Sequence, residues 1–264
     1  MQNNNNIDLR KTFDEEAQLY DLIRPHYPAE LFDTIVKTAD LQPDSKLVEI
    51  GPGTGQATIP FAERGYEIIG IELGSALADV ASKNTEKYNK VKIMTGAFED
   101  VELPQSTFDL VYSATAFHWI KPEIKFSRPH KLLKNGGYLA IINTCHVSDE
   151  KGDEFLLASQ PIYKQYKPGG TYDENLKFSR TSELSTDKVD EELFKQVFFQ
   201  AFPLAIQYTA KEYTQLLSTY SPQISMESQS RANFMTAIEQ LINEEFNGSI
   251  MKHFAITLTM AKKK

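Results

Sequence analysis

The spacing of apolar positions changes repeatedly along this chain, and each change predicts an element. Leu31, Phe32, Ile35 and Val36 fall on one face at helical spacing. The segment from Thr12 to Thr38 reads as helix, turn and helix, broken at Arg24-Pro25-His26-Tyr27-Pro28, where each proline biases its predecessor away from the helical region. Lys46 to Ile50 is an apolar run fit for burial on both faces, interrupted only by Glu49. From there strands and helices alternate: a strand over 67–72, a helix over 75–88, strands over 91–95 and 108–113, a helix over 122–133 that Pro129 should kink, and a strand over 138–143 after Asn135-Gly-Gly137. Such alternation predicts an α/β fold, a parallel sheet with helices on both faces.

After Val147 the rhythm is lost. A helix over 155–166 carries Phe155, Ile162, Tyr163 and Tyr166 and ends at Lys167-Pro-Gly-Gly170, and residues 147–192 read as an insertion covering the open edge of the sheet. Regular structure returns over 193–207 as an aromatic-rich strand or strand pair, and Thr209-Ala-Lys-Glu212 is a capping box opening a helix through Leu217. Residues 231–246 form an amphipathic helix stopped by Asn247-Gly248, the start of a sequon read here as a helix stop. Over 250–260, Phe254, Ile256, Leu258 and Met260 alternate with Thr257 and Thr259, the mark of a strand with unlike faces. The closing Lys262-Lys-Lys264 reads as a solvated tail.

The chain has 264 residues, 41% hydrophobic and 24% charged, enough for one large globular domain with a full core. Its formal net charge of −8 disfavours a general grip on phosphate backbones, so a nucleic-acid partner is not expected. The single Cys145 excludes an internal disulfide and a multi-cysteine metal site and fits a reducing compartment. No signal-peptide pattern opens the chain, and nowhere do the ~18 apolar residues of a membrane span run together. The expectation is therefore a cytoplasmic protein of undetermined oligomeric state with no metal, since no His spacing suits one.

The candidate chemistry begins at Glu49-Ile-Gly51-Pro-Gly53-Thr-Gly55. A strand runs into a turn whose alternating glycines let a ligand approach the backbone, and the helix beyond points its first N–H groups at that ligand. The dinucleotide fingerprint G-x-G-x-x-G needs a glycine where Gln56 stands, which counts against a nicotinamide-dependent oxidoreductase. Glu72 closes the second strand about 20 residues after Gly51, the distance at which nucleotide sites place a ribose-binding acid. A helix-start or surface glutamate near Ser75 is the competing reading.

The pattern E-x-G-x-G-x-G resembles motif I of the class I S-adenosylmethionine-dependent methyltransferases. The stretches Phe98-Glu-Asp100, Phe108-Asp-Leu-Val111 and Ala116-Phe-His-Trp119 narrow the resemblance to the trans-aconitate methyltransferase-like branch, also called methyltransferase type 11. The resemblance implies a three-layer Rossmann-like sheet of seven strands, the last antiparallel, with an N-terminal helical lid (1–40), a cofactor-binding core (41–146), a cap (147–192) and a C-terminal part completing the sheet (193–264). It implies S-adenosyl-L-methionine as cofactor, held by Tyr20, Arg24, Glu49, Gly51, Gly53, Gly55, Glu72, Leu73, Ala97, Phe98, Glu99 and Ser113. Many relatives carry an aspartate where this chain has Ala97, so the side chain that meets the adenine is open; Phe98 as core is the competing reading. A small or medium organic substrate is expected along Phe117, Trp119, Tyr163, Tyr166 and Tyr172, with a carboxylic acid suggested through Arg24. His118 is the candidate general base, against a reading in which His118 and Trp119 simply pack. The competing reading buries Tyr20 and pairs Arg24 with Asp21. A cofactor-binding protein without catalysis is the remaining alternative.

Overall fold

The computed structural model describes residues 22–148 and 153–264. The predicted helix upstream of Arg24, with Phe13, Tyr20 and Asp21, lies outside the described residues. Helix α1 (Ala29–Thr38) buries Leu31, Phe32 and Ile35. Strand β1 (Lys46–Ile50), helix α2 (Thr58–Glu63), strand β2 (Glu67–Glu72), helix α3 (Ser75–Thr85), strand β3 (Val91–Thr95) and strand β4 (Phe108–Ala114) follow in the expected order. Then come helix α4 (Ser127–Leu132), strand β5 (Leu133–Val147), helix α5 (Glu154–Tyr166), strand β6 (Phe194–Thr209), helices α6 (Ala210–Ser218), α7 (Ser221–Ile224) and α8 (Ser228–Glu245), and strand β7 (Ser249–Lys263).

The strands hydrogen-bond in the order β3-β2-β1-β4-β5-β7-β6. The pairs β1–β2, β1–β4, β2–β3 and β4–β5 are parallel, so the order reverses between β1 and β4. Strand β7 enters between β5 and β6 and runs against β6. Ala210 at the end of β6 donates its N–H to Gly248 at the start of β7, and Lys264 at the end of β7 donates to Leu193 at the start of β6. The last three lysines are therefore not a free tail: β7 runs to Lys263, whose Nζ donates to the Leu133 carbonyl at 2.8 Å.

Two other expectations are corrected, and one left open between two alternatives is settled. Helix α4 begins only at Ser127, which places Pro129 in its first turn, where a missing N–H costs nothing and no kink arises. Asn135-Gly-Gly137 does not precede a strand but interrupts one: pairing jumps from Phe108↔Leu133 to Leu110↔Tyr138, with Gly136 at φ +79° in the bulge. Residues 194–209 make one long strand rather than two.

The chain divides into two compact units. The larger is His26–Thr144, Ser185–Phe202 and Ile256–Lys264; the smaller is the segment up to Pro25 with Cys145–Leu184 and Pro203–Ala255. The larger unit has two apolar clusters. One joins Leu31, Phe32 and Ile35 to Phe61, Tyr112 and Leu258, and the other joins Val48, Val111 and Ile141 to Phe98, Phe117 and Phe194. The smaller unit packs Phe155, Tyr213, Leu216, Phe234, Ile238 and Phe254 around its own centre.

Candidate functional site

The sequence builds the site where β1 ends. Gly51, Gly53 and Gly55 all take left-handed φ angles of +68°, +59° and +94°, open only to residues without a Cβ penalty. Gly51 also lacks room: a Cβ there would stand 2.5 Å from the Ala116 Cβ. The turn continues to Ala57, and the helix beyond it is the short α2, Thr58–Glu63.

Glu72 closes β2, almost buried, and its carboxylate accepts from the Gly53 N–H at 2.8 Å and the Gly74 N–H at 3.0 Å, one on each oxygen. It thus clamps the glycine turn to the start of α3. Leu73 beside it is half-buried.

Glu49 is fully buried. Its Oε2 accepts from the Thr58 hydroxyl at 2.5 Å and the Tyr112 hydroxyl at 2.8 Å, while Oε1 is shielded from water with no hydrogen-bond partner. Burial raises the carboxyl from 4.5 to about 7, the two hydrogen bonds oppose that, and the nearby Glu72 charge adds to it. Its two donors come from β4 and the first residue of α2, contacts that no local sequence signal announces.

Other predicted residues divide. Phe98 is buried in the core with the Arg128 guanidinium 5.1 Å over its ring. Ala97 and Glu99 are half-buried at the corner after β3, with both Glu99 carboxylate oxygens shielded from water. Ser113 is buried and donates to the Ile50 carbonyl at 2.8 Å, tying β4 to β1. Asp109 accepts the Lys46 N–H at 2.8 Å and pairs with Lys134.

Past β4, Phe117–Trp119 form a 3-10 turn. Phe117 is core, packed at 5.4 Å on Phe126, and the His118 and Trp119 rings lie 4.8 Å apart. His118 stays partly open to solvent, but neighbouring atoms desolvate it and, with the Lys125 charge, lower its pKa below the usual 6.5. It is therefore a neutral imidazole at neutral pH, able to accept a proton.

Sequence reasoning missed Thr115. This β-branched residue sits at φ +57°, a rare and costly conformation. Its hydroxyl lies 3.2 Å from the Tyr27 hydroxyl and 3.3 Å from that of Thr144, at the carboxyl ends of β4 and β5. Neither the strain nor the grouping has a signal in the sequence.

Arg24, Tyr163, Tyr166 and Tyr172 belong to the smaller unit. Arg24 donates through Nε to the Thr219 hydroxyl at 2.9 Å and through a terminal nitrogen to the Thr219 carbonyl at 2.7 Å, and it lies 4.2 Å over the Tyr220 ring. Tyr163 and Tyr166 pack edge-on against Phe234, and the Lys164 ammonium stands 5.9 Å over Tyr172.

Open α/β sheets bind ligands beyond the carboxyl ends of their strands at the switch point, here between β1 and β4. Strand order, an antiparallel β7, and acids at the ends of β1 and β2 around a glycine turn define the class I S-adenosylmethionine-dependent methyltransferase fold. Residues 48–141 match the methyltransferase domain family.

The chain is 34% identical over 136 residues to a probable S-adenosylmethionine-dependent methyltransferase of Saccharomyces cerevisiae, covering 50% of this chain and 46% of that protein. The chain spans about half the length of the curated relatives it matches. Among solved structures, the [4+2]-cyclase SpnF superposes with a TM-score of 0.58 at 13% identity, covering 98% of this chain and 96% of the other. A Haemonchus contortus phosphoethanolamine N-methyltransferase solved with S-adenosylhomocysteine gives 0.52 at 16% identity, covering 97% and 60%. These two likenesses show the fold alone, and a cyclase among them shows that the fold does not fix the reaction. Among the described residues, no helix is long and apolar enough to cross a membrane and no cluster suits a metal ion.

Proposed function

We propose that this protein transfers a methyl group from S-adenosyl-L-methionine to a small or medium organic molecule, with a carboxylic acid as the expected substrate class. The observation that carries the reading is Glu72, whose carboxylate at the end of β2 clamps the Gly53 and Gly74 N–H groups at the glycine turn, where a nucleotide site places its ribose-binding acid. The orphaned acceptor Glu49 Oε1, one residue from a turn too tight for any Cβ at Gly51, fits a donor group on the same ligand. S-adenosylmethionine held by the glycine turn and Glu72 would supply an electrophilic methyl on its sulfonium to an acceptor lone pair, with S-adenosylhomocysteine as the leaving group.

The protein's own contribution is placement. The glycine turn admits the ligand against the backbone, and Ala97, Glu99 and Leu73 border the corners after β3 and β2. The 3-10 turn at Phe117–Trp119 lies past the end of β4. His118, neutral at pH 7, is available to take a proton from an acceptor that carries one. The chain's cytoplasmic placement and its four-part division into lid, core, cap and C-terminal part belong to the same reading.

Thermal unfolding with S-adenosylmethionine, S-adenosylhomocysteine and NAD(H) is the test. At a hundredfold excess over Kd a true ligand stabilises by about 2.7 kcal/mol. Stabilisation by the two sulfur cofactors, lost in Glu72→Ala, is expected; stabilisation by NAD(H) with none from the others would sink the proposal. Mass spectrometry of organic acids incubated with labelled cofactor then separates an enzyme from a binding protein.

A further inference from the structure

The smaller unit holds a polar cluster that the proposed methyl transfer does not use. His146 near the end of β5 is walled by aromatic rings: it stacks on Phe178 at 5.3 Å, meets Phe254 at 4.9 Å and Tyr220 edge-on at 5.7 Å. Its Nδ1 is shielded from water and has no hydrogen-bond partner. Tyr208, whose ring centroid lies 6.5 Å from that of the same Phe254, is only 3% exposed, and its hydroxyl is likewise buried without a partner. Two orphaned polar atoms against one phenyl ring are unusual, because nearly all buried polar groups find a partner and an orphan costs stability.

The surrounding charge is cationic. Lys252, 2% exposed, pairs with Asp153 at 2.6 Å and also stands 5.1 Å over the Phe178 ring that stacks on His146. Among the described groups acting on His146, Lys252 and Arg24 are positive and Asp153 is negative, and both cations act more strongly than the acid. Burial and those cations push the His146 pKa down to about 4, so the imidazole is neutral at pH 7 and adds no charge of its own. Flat rings, a positive local field and two unsatisfied hydrogen-bonding atoms are what a flat organic anion requires: the rings bury its body, and the hydroxyl donates to its charged end.

We propose that the His146–Tyr208 cluster of the smaller unit is a binding pocket for an organic monoanion, a carboxylate carried on a flat apolar body. The pocket stands independently of the transfer reaction, and its test reads binding rather than turnover. Isothermal titration of the intact chain with cinnamate and with its neutral isostere cinnamamide tests both shape and charge. Cinnamate is expected to bind at least tenfold more tightly than the amide, and Tyr208→Phe to weaken cinnamate at least tenfold. Because that substitution removes an orphaned hydroxyl while keeping the ring, the ligand-free variant is expected to melt no lower than the parent. Absence of cinnamate binding, equal affinity for acid and amide, or an unchanged affinity in Tyr208→Phe would each overturn the pocket. The comparison of acid with amide needs no variant, so a folding defect cannot mask the result. Loss of S-adenosylhomocysteine stabilisation with cinnamate binding intact would count against the proposed transfer reaction alone.

Discussion

A methyl group added at Gly51 would stand 2.5 Å from Ala116 Cβ, on a residue whose φ is already +68°. The left-handed backbone alone costs an alanine roughly 1–2 kcal/mol, and the close contact forces either the glycine turn or the segment after β4 to move. Gly51→Ala is therefore expected to lower the melting temperature and to remove stabilisation by S-adenosylhomocysteine; a variant that melts and binds like the parent would show that the turn is not held where the structure puts it. At this scale much of the candidate site was legible. Three alternating glycines and an acid at the end of each of two strands are local patterns, whereas the Glu72 clamp on the Gly53 N–H is a contact the spacing alone did not announce. The state of Glu49 was not legible, because its donors Thr58 and Tyr112 reach it from separate elements and its burial is a property of the packed sheet. Thr115 gave no sign either, since threonine is a poor choice for left-handed backbone and only the surrounding contacts hold it there.

Among elements, the clearest sequence signal was the box at Thr209. Its hydroxyl accepts the Glu212 N–H at 3.3 Å, and Glu212 returns its carboxylate to the Thr209 N–H at 2.8 Å. Replacing such a cap costs about 1 kcal/mol, so Thr209→Ala should lower the melting temperature by about 2–4 °C for a chain of this size, measurable by calorimetry; no change would mean that α6 is held by packing alone. The stop after α8 was legible for the same local reason: Asn247 and Gly248 take φ of +53° and +81°, and the Gly248 N–H returns to the Ile242 carbonyl. What failed was legible only through pairing. The bulge at Gly136 depends on the register with β4, and the long reach of β7 depends on lying between β5 and β6. The docking of Arg24 on Thr219 through two hydrogen bonds likewise has no local signal.

For the whole molecule, two buried groups set opposing slopes of stability with pH. Glu49 is raised from 4.5 to about 7, so its contribution is fully present below 4.5 and is lost as pH climbs through 7. His146 is lowered from 6.5 to about 4, so its contribution is present above 6.5 and is lost as pH falls toward 4. Between those limits one group gains what the other loses. Glu49→Gln removes the first slope and keeps the second, so its melting temperature relative to the parent should rise between pH 4.5 and 7.5. A pH-independent difference between the two proteins would show that Glu49 does not titrate in that window.

The sequence by itself determined the alternating α/β order, the glycine turn with its flanking acids, the capping box and the helix stops. Each of these depends on residues within a few positions of one another, where spacing and backbone preference decide. The tertiary structure alone decided the protonation of Glu49, the strained turn at Thr115, the docking of Arg24 on Thr219 and the isolation of His146 and Tyr208 among aromatic rings. Those features depend on which distant segments meet and on how completely they exclude water, and neither is written into any local pattern.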